Sequence, residues 1–138
     1  MTADGELFRN EFLTVSLELN GRVVRILRNA VAYPSPAAAE QAYEGLYPIL
    51  DRLGRSGRCL LNDQRLVLGR NEPEYEAAFA RIRSRTVPGF RKVATLVQSK
   101  VGKLQVTRMI REDRVDRLAS DSEAEILQYF GVVDPKEK

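Results

Sequence analysis

Between Leu13 and Asn20 apolar and polar side chains alternate without exception. Leu13, Val15, Leu17 and Leu19 are apolar; Thr14, Ser16, Glu18 and Asn20 are polar. A period of two belongs to a strand with one face buried and the other wet. Asn20-Gly21 follows, a dipeptide that tolerates positive φ at both central positions of a type I′ turn. The chain then returns antiparallel along Arg22 to about Leu27, rich in valine and isoleucine. A β-hairpin therefore opens the fold.

Beyond the hairpin the period lengthens. Ser35-Pro36 supplies a capping hydroxyl and a first-turn proline. Ala39, Ala42, Tyr43, Leu46, Ile49, Leu50 and Leu53 then recur at helical spacing up to a Gly54 stop. Pro48 lies inside that pattern and deletes a hydrogen bond, which predicts a break near Glu44 to Tyr47. Arg58 to Leu61 reads as a short buried strand, and Asn62 to Arg70 as a loop. Asn71 and Glu74 resemble a capping box before an apolar stripe of Tyr75, Ala78, Phe79 and Ile82. Val87-Pro88-Gly89 breaks the chain, and the nearly continuous apolar run Val93 to Val97 suits a strand covered on both faces. A helix over Lys100 to Glu112, a strand over Val115 to Ala119 and a closing helix complete the order. That last helix opens on a Ser120/Glu123 capping box, turns Ala124, Leu127 and Phe130 inward and stops at Gly131. Asp134 to Lys138 is a charged tail.

The order is hairpin, then helix and strand in alternation. It predicts an α/β fold: a mixed, mainly parallel sheet of four to five strands with helices packed on it through right-handed crossovers. The chain has 138 residues, enough for one domain, placed at 1–131 with a short tail at 132–138. In sheets of this kind ligand sites lie beyond the carboxyl ends of the strands. Here those ends are the Ala32 to Ser35 turn, the Asn62 to Asn71 loop, the Gln98 to Lys100 turn and the Ala119 to Asp121 turn.

Element order, length and the closing Asp121-Ser122-Glu123-Ala124-Glu125 helix resemble the STAS-like group of small bacterial domains, the anti-sigma factor antagonist and Sec14-type domains. The resemblance covers Phe8 to Gly131. It implies a four- or five-stranded sheet with helices and a role in binding other proteins or small ligands. Phosphoswitch members of that group carry an Asp-Ser-Ser-Gly-like turn after the central strand. The matching segment here, Asn62 to Arg70, has neither serine nor threonine, so the resemblance extends to fold and binding, not to phosphorylation at that turn.

Composition narrows the chemistry. The chain has no histidine and one cysteine, Cys59. That removes imidazole-based triads, HExxH sites, internal disulfides and multi-cysteine metal centres. Cys59, beside Leu60 and Leu61, reads as a buried thiol. No Gly-rich phosphate cradle of the GxGxxG or GxxxxGK[ST] type occurs. Apolar runs are far too short for a transmembrane helix, which needs about 20 residues. Met1 to Asn10 has no signal-peptide core, and a cytoplasmic location is the expectation.

Charge is distributed unevenly. From Arg81 to Arg117 there are eleven lysines and arginines against three acids, a local +8 in a chain of net +3. Lys100, Lys103, Thr107 and Arg111 share one face of the expected third helix. Such a face is either solvated or meets an acidic partner. Only Phe90 interrupts the basic segment with an aromatic ring, which argues against base stacking and nucleic acid.

The expected function is thus a non-enzymatic regulatory or protein-interaction module without cofactor. It would bind an acidic protein partner through Asn62, Asp63, Arg65, Arg70, Lys100, Lys103 and Arg111, with homodimerisation also open through Ile126 and Tyr129. The alternative is a small-ligand or lipid binder with a pocket between sheet and helices near Tyr33, Asn62 and Ser99. An enzyme would have to use Asp63, a lysine or an arginine without imidazole. The plain reading of Asn62 and Asp63 is that they satisfy loop amides and turn the chain.

Overall fold

A computed structural model of the chain describes residues 4–67, 73–98 and 118–132. The hairpin is β2 (Leu13–Glu18) and β3 (Val23–Arg28), preceded by an edge strand β1 (Gly5–Arg9). β2 and β3 pair antiparallel from Leu13↔Arg28 to Glu18↔Val23. Asn20 and Gly21 have the expected positive φ, 58° and 78°, and Leu19 joins them at 52°. The Arg22 N–H closes the turn on the Leu19 carbonyl at 3.3 Å. The Asp4 carboxylate accepts from the Asn20 and Gly21 N–H groups at 3.0 and 2.9 Å, so the turn and the start of β1 hold each other.

β1 pairs antiparallel with β2 and slips register between Glu6 and Phe8. The sheet therefore has six strands, in the order β1-β2-β3-β4-β5-β6, rather than four to five. β1 escaped the sequence because it is a bulged edge strand without strict alternation. It is nonetheless tied to the core through Leu7 and Phe8.

The parallel half comprises β4 (Cys59–Asp63), β5 (Lys92–Leu96) and β6 (Leu118–Ser120). Each lies parallel to its neighbour, beginning with β3. The helices are α1 (Pro36–Glu44), α2 (Tyr47–Leu53), α3 (Pro73–Thr86) and α4 (Glu123–Phe130). The α/β class, with a hairpin leading into parallel strands, is as the residues predict. β4 extends two residues beyond its expected end, so Asn62 and Asp63 belong to the strand and not to the following loop. β6 takes in Ser120 beyond the expected Ala119. The expected helix over Lys100 to Glu112, the Asn71 cap and residues 133–138 of the expected tail lie outside the described residues. Val132, placed at the start of that tail, is instead buried in the core.

Strand alternation divides the interior into two layers. On one face Leu13, Val15, Leu17, Val24, Ile26 and Leu60 pack against Ala39, Leu50, Tyr75 and Ile82 of α1 to α3 and against Leu46 just before α2. On the other, Val23, Cys59, Leu61, Ala94 and Leu96 pack against Ile126 and Phe130 of α4. Successive residues of β4 thus feed opposite layers, which is why Cys59-Leu60-Leu61 is apolar throughout. Pro48 breaks the long helical pattern as expected, leaving Gly45 between α1 and α2. A Cβ at Gly45 would stand 3.0 Å from the Phe8 ring, so this break is also where β1 docks. Ser35 caps α1 by accepting from the Ala38 N–H at 3.1 Å. Gly54 ends α2 at φ 86° and ψ 130°, positive but outside the left-handed helical well.

Two details of the closing helix differ from the sequence reading. Its cap is Ser122, which accepts from the Glu125 N–H at 3.2 Å. Ser120 is still paired in β6 with Leu96, fully buried, and its Oγ instead accepts from the Ser122 N–H at 3.0 Å. The two-residue displacement rotates the inward face: Ile126 and Phe130 are buried, and Ala124 is exposed. Ile126 is therefore a core residue and not part of a self-association face. Gly131 adopts the expected left-handed stop, φ 74° and ψ 25°. Arg91 donates to the Phe130 carbonyl, and Lys92 donates to that of Tyr129 at 2.7 Å. Two cations thus meet the negative end of α4. Among the described residues no helix is long and apolar enough to cross a membrane.

Candidate functional site

Asp63 occupies the carboxyl end of β4, on the same face as Cys59 and Leu61 and toward α4. Arg25 shares that face from β3, where it sits opposite Leu61 in register. The short α4 packs over β5 and β6 and leaves Arg25 at its margin, with 15% of the arginine side chain exposed. There the guanidinium reaches three carboxylates. Its Nε donates to both oxygens of Glu18 at 3.0 Å, Nη1 to Asp63 Oδ2 at 2.8 Å, and Nη2 to Glu123 Oε1 at 2.7 Å. Strands β2, β3 and β4 and the first turn of α4 are all tied to one side chain.

Arg65 approaches Asp63 from the turn beyond the strand. Its Nε donates to Oδ1 at 2.9 Å and its Nη2 to Oδ2 at 2.8 Å, a bidentate grip. The Arg65 backbone N–H adds a longer contact to Oδ1 at 3.3 Å. The Asp63 side chain is 1% exposed, whereas that of Arg65 is 48% exposed. Burial is the largest influence on the Asp63 carboxyl and pushes its pKa up. The hydrogen bonds and charge of Arg65, with the bond from Arg25, outweigh it and hold the group below the ordinary carboxylate range. Burial likewise disfavours the Arg25 cation, but Glu123 and Glu18 reverse the effect and raise its pKa. Asp63 is thus an ionised anchor that fixes Arg65 at the rim. The five groups, three carboxylates and two guanidinium ions, carry a formal −1.

Of the residues the sequence singles out, the structure brings Asp63 and Arg65 into contact. It places half-buried Asn62 beside them in β4, its side chain directed by strand alternation to the opposite face. Arg70, Lys100, Lys103 and Arg111 lie outside the described residues. Sequence reasoning missed Arg25, Glu18 and Glu123. Arg25 carried a signal, a lone charge inside Val23-Val24-Arg25-Ile26. Glu18 looked like an ordinary wet-face residue and Glu123 like half of a capping box.

Several cations of the basic segment are used internally. Arg81 grips Glu40 at 2.6 and 2.8 Å, and Arg85 reaches Glu44 at 3.3 Å while stacking on Tyr47. These pairs join α3 to α1, and Arg91 and Lys92 cap α4 as described. The charge excess in this part of the sequence is therefore partly a packing device.

The alternative reading names Tyr33, a buried residue that packs among other rings. Its ring lies 4.9 Å from that of Phe12 and 6.2 Å from that of Phe79. The Arg28 guanidinium sits 4.0 Å over its centroid, and Tyr75 Oη donates to its carbonyl at 3.1 Å. Burial raises the pKa of both the Tyr33 and Tyr43 phenols. Ser99 lies outside the described residues. Cys59 is buried as expected; burial raises its thiol pKa, although Arg91 Nη2 donates to Sγ at 3.1 Å and opposes the shift. Among the described residues no group of three or more histidine, cysteine, aspartate or glutamate side chains is placed to hold a metal ion.

Comparison with known proteins returns no matching family model, no curated relative and no similar solved structure.

Proposed function

We propose that this domain is a non-enzymatic, STAS-like protein-interaction module that docks its partner on the rim formed by the carboxyl ends of its parallel strands. The observation that carries this reading is the state of Asp63. Both its oxygens are taken by Arg25 and Arg65, and its carboxyl is held ionised. A carboxylate locked in this way is poorly suited to proton transfer, since a catalytic base works best with a pKa near the operating pH. It is well suited to hold an arginine in one orientation. Preorganised side chains lose less entropy when a partner arrives. Arg70, Lys100, Lys103 and Arg111, outside the described residues, belong to the same reading through their charge, which would attract an acidic partner.

Site-specific photo-crosslinking in cells tests it. A crosslinking amino acid at Leu66, on the rim, should trap a discrete protein adduct. The same group at Arg22, at the amino end of β3, should not. Adducts of equal yield at both ends, or none at either, would defeat the reading.

A further inference from the structure

The two faces of the sheet are covered differently. On the first, α1, α2 and α3 pack on one another as well as on the strands; on the second, α4 packs on β5 and β6. Three apolar side chains seat it: Ile126 and Phe130, both fully buried, and Val132 just beyond Gly131. Its ends are held by charged groups that belong to the sheet. At the amino end Glu123 Oε1 accepts from Arg25 Nη2 at 2.7 Å. At the carboxyl end Lys92 Nζ reaches the Tyr129 carbonyl at 2.7 Å and stands 4.7 Å over the Tyr129 ring, and Arg91 donates to the Phe130 carbonyl. None of these groups is stranded when the helix leaves. Arg25 keeps Glu18 and Asp63, Glu123 is already 41% exposed, and Arg91 and Lys92 stand where water reaches them. The usual penalty for breaking a buried charge contact, an orphaned ion, is therefore absent.

We infer that α4 is a latched lid: it comes off as one unit and uncovers Val23, Cys59, Leu61, Ala94 and Leu96 while the sheet and the opposite layer stay folded. The hinge is Asp121-Ser122, since Ser120 remains paired with Leu96 in β6. An isolated helix shorter than about 12–15 residues is marginal in water. The 8 residues of α4 therefore lose their helix on release, and detachment and melting are one event. Two contacts of opposite kind set closure. At one end an acid of α4 is held by a cation of β3; at the other, carbonyls of α4 are held by cations at the start of β5. Sub-global opening of this kind takes less free energy than unfolding the whole chain. The separation is physical here, because α1 to α3 rest on the other side of the sheet. Cys59, fully buried in the layer that α4 covers and 3.1 Å from Arg91 Nη2, reports the opening. The inference is independent of the interaction reading above.

The test is labelling of Cys59 in the full native chain with a neutral aromatic disulfide, read alongside amide hydrogen exchange. The native rate divided by that of the denatured chain gives the open fraction. Opening through the lid makes labelling nearly independent of urea at low concentration, since little surface is exposed. The α4 amides should exchange with the same open fraction while those of β4 and β5 stay protected. Glu123→Gln and Lys92→Met should each raise labelling about fivefold, the scale of one partly exposed charge-assisted bond. The double variant should show about the product of the two, because the contacts stand at opposite ends of a helix about 12 Å long. Ile82→Val, in the opposite layer, should lower the urea midpoint. It should leave Cys59 labelling in water within about twofold of the parent, because the lid opens without disturbing that layer. Labelling that carries the full urea slope of unfolding, or that Ile82→Val raises in step with the loss of global stability, would overturn the inference. Either result would mean that Cys59 is reached only when the chain unfolds. Labelling of Cys59 while the α4 amides stay protected, or labelling unchanged in both charge variants, would overturn it too.

Discussion

Replacing Asp63 with asparagine should expose what the charge cluster contributes to the fold. The change keeps size and one acceptor but removes the negative charge between two guanidinium ions. It also puts an NH2 donor where Oδ2 now accepts from Arg25 and Arg65, both at 2.8 Å. Breaking a buried ion pair by deleting one partner costs about 3–5 kcal/mol. The lower end applies here, because Arg25 keeps Glu18 and Glu123 and Arg65, half exposed, can turn to water. At a loss of about 3 kcal/mol and a urea slope of about 2 kcal/mol per M, the unfolding midpoint should fall by about 1.5 M at pH 7. The effect should also depend on acidity. The folded-state pKa of Asp63 lies below its ordinary value of 3.8. Its ionised form therefore stabilises the native state fully above pH 3.8, and that stabilisation is lost as pH falls through the lower folded value. Asparagine does not titrate, so the gap between parent and variant should narrow below pH 3.8. Paired urea denaturations at pH 7 and in that acid range measure both effects. A variant within about 0.5 kcal/mol of the parent at pH 7, the range of an ordinary surface substitution, would refute the anchoring role. A gap that persists unchanged in acid would refute the electrostatic account.

Two further outcomes follow from the second layer of the core. Ser122→Ala should destabilise the domain by about 1 kcal/mol through loss of the α4 cap. If thermal unfolding shows no loss, the helix does not start where its hydrogen bonds place it. Cys59, fully buried beneath Arg91, should react with an aromatic disulfide reagent only as fast as the chain opens. A native-state rate equal to that in denaturant would contradict its burial.

Much of the architecture was legible in the residues because it rests on local rules. Alternation over Leu13 to Leu19 places a strand whatever surrounds it, and Asn20-Gly21 selects its turn. Pro48 interrupts the helical pattern by lacking an N–H, and Gly131 ends α4 by accepting positive φ. Those signals act within a few residues, and the structure follows them. The errors fall where a residue answers to a distant partner. Ser120 satisfies the local capping pattern, but pairing with Leu96 keeps it in the sheet and passes the cap to Ser122. β1 has little pattern of its own and exists because β2 offers it an edge and Asp4 clamps the hairpin turn.

The site divides along the same line. Chain order alone set the class of fold and the end of the sheet where the candidate site lies, since parallel crossovers leave their strands in one direction. It also pointed to Asp63 and Arg65, two residues apart beyond a buried strand. Only tertiary structure decided that Arg25, 38 residues earlier, and Glu123, 60 residues later, would complete the cluster. Coulomb attraction and hydrogen bonding act through space, and no period in the sequence records which charges the folded sheet will bring together.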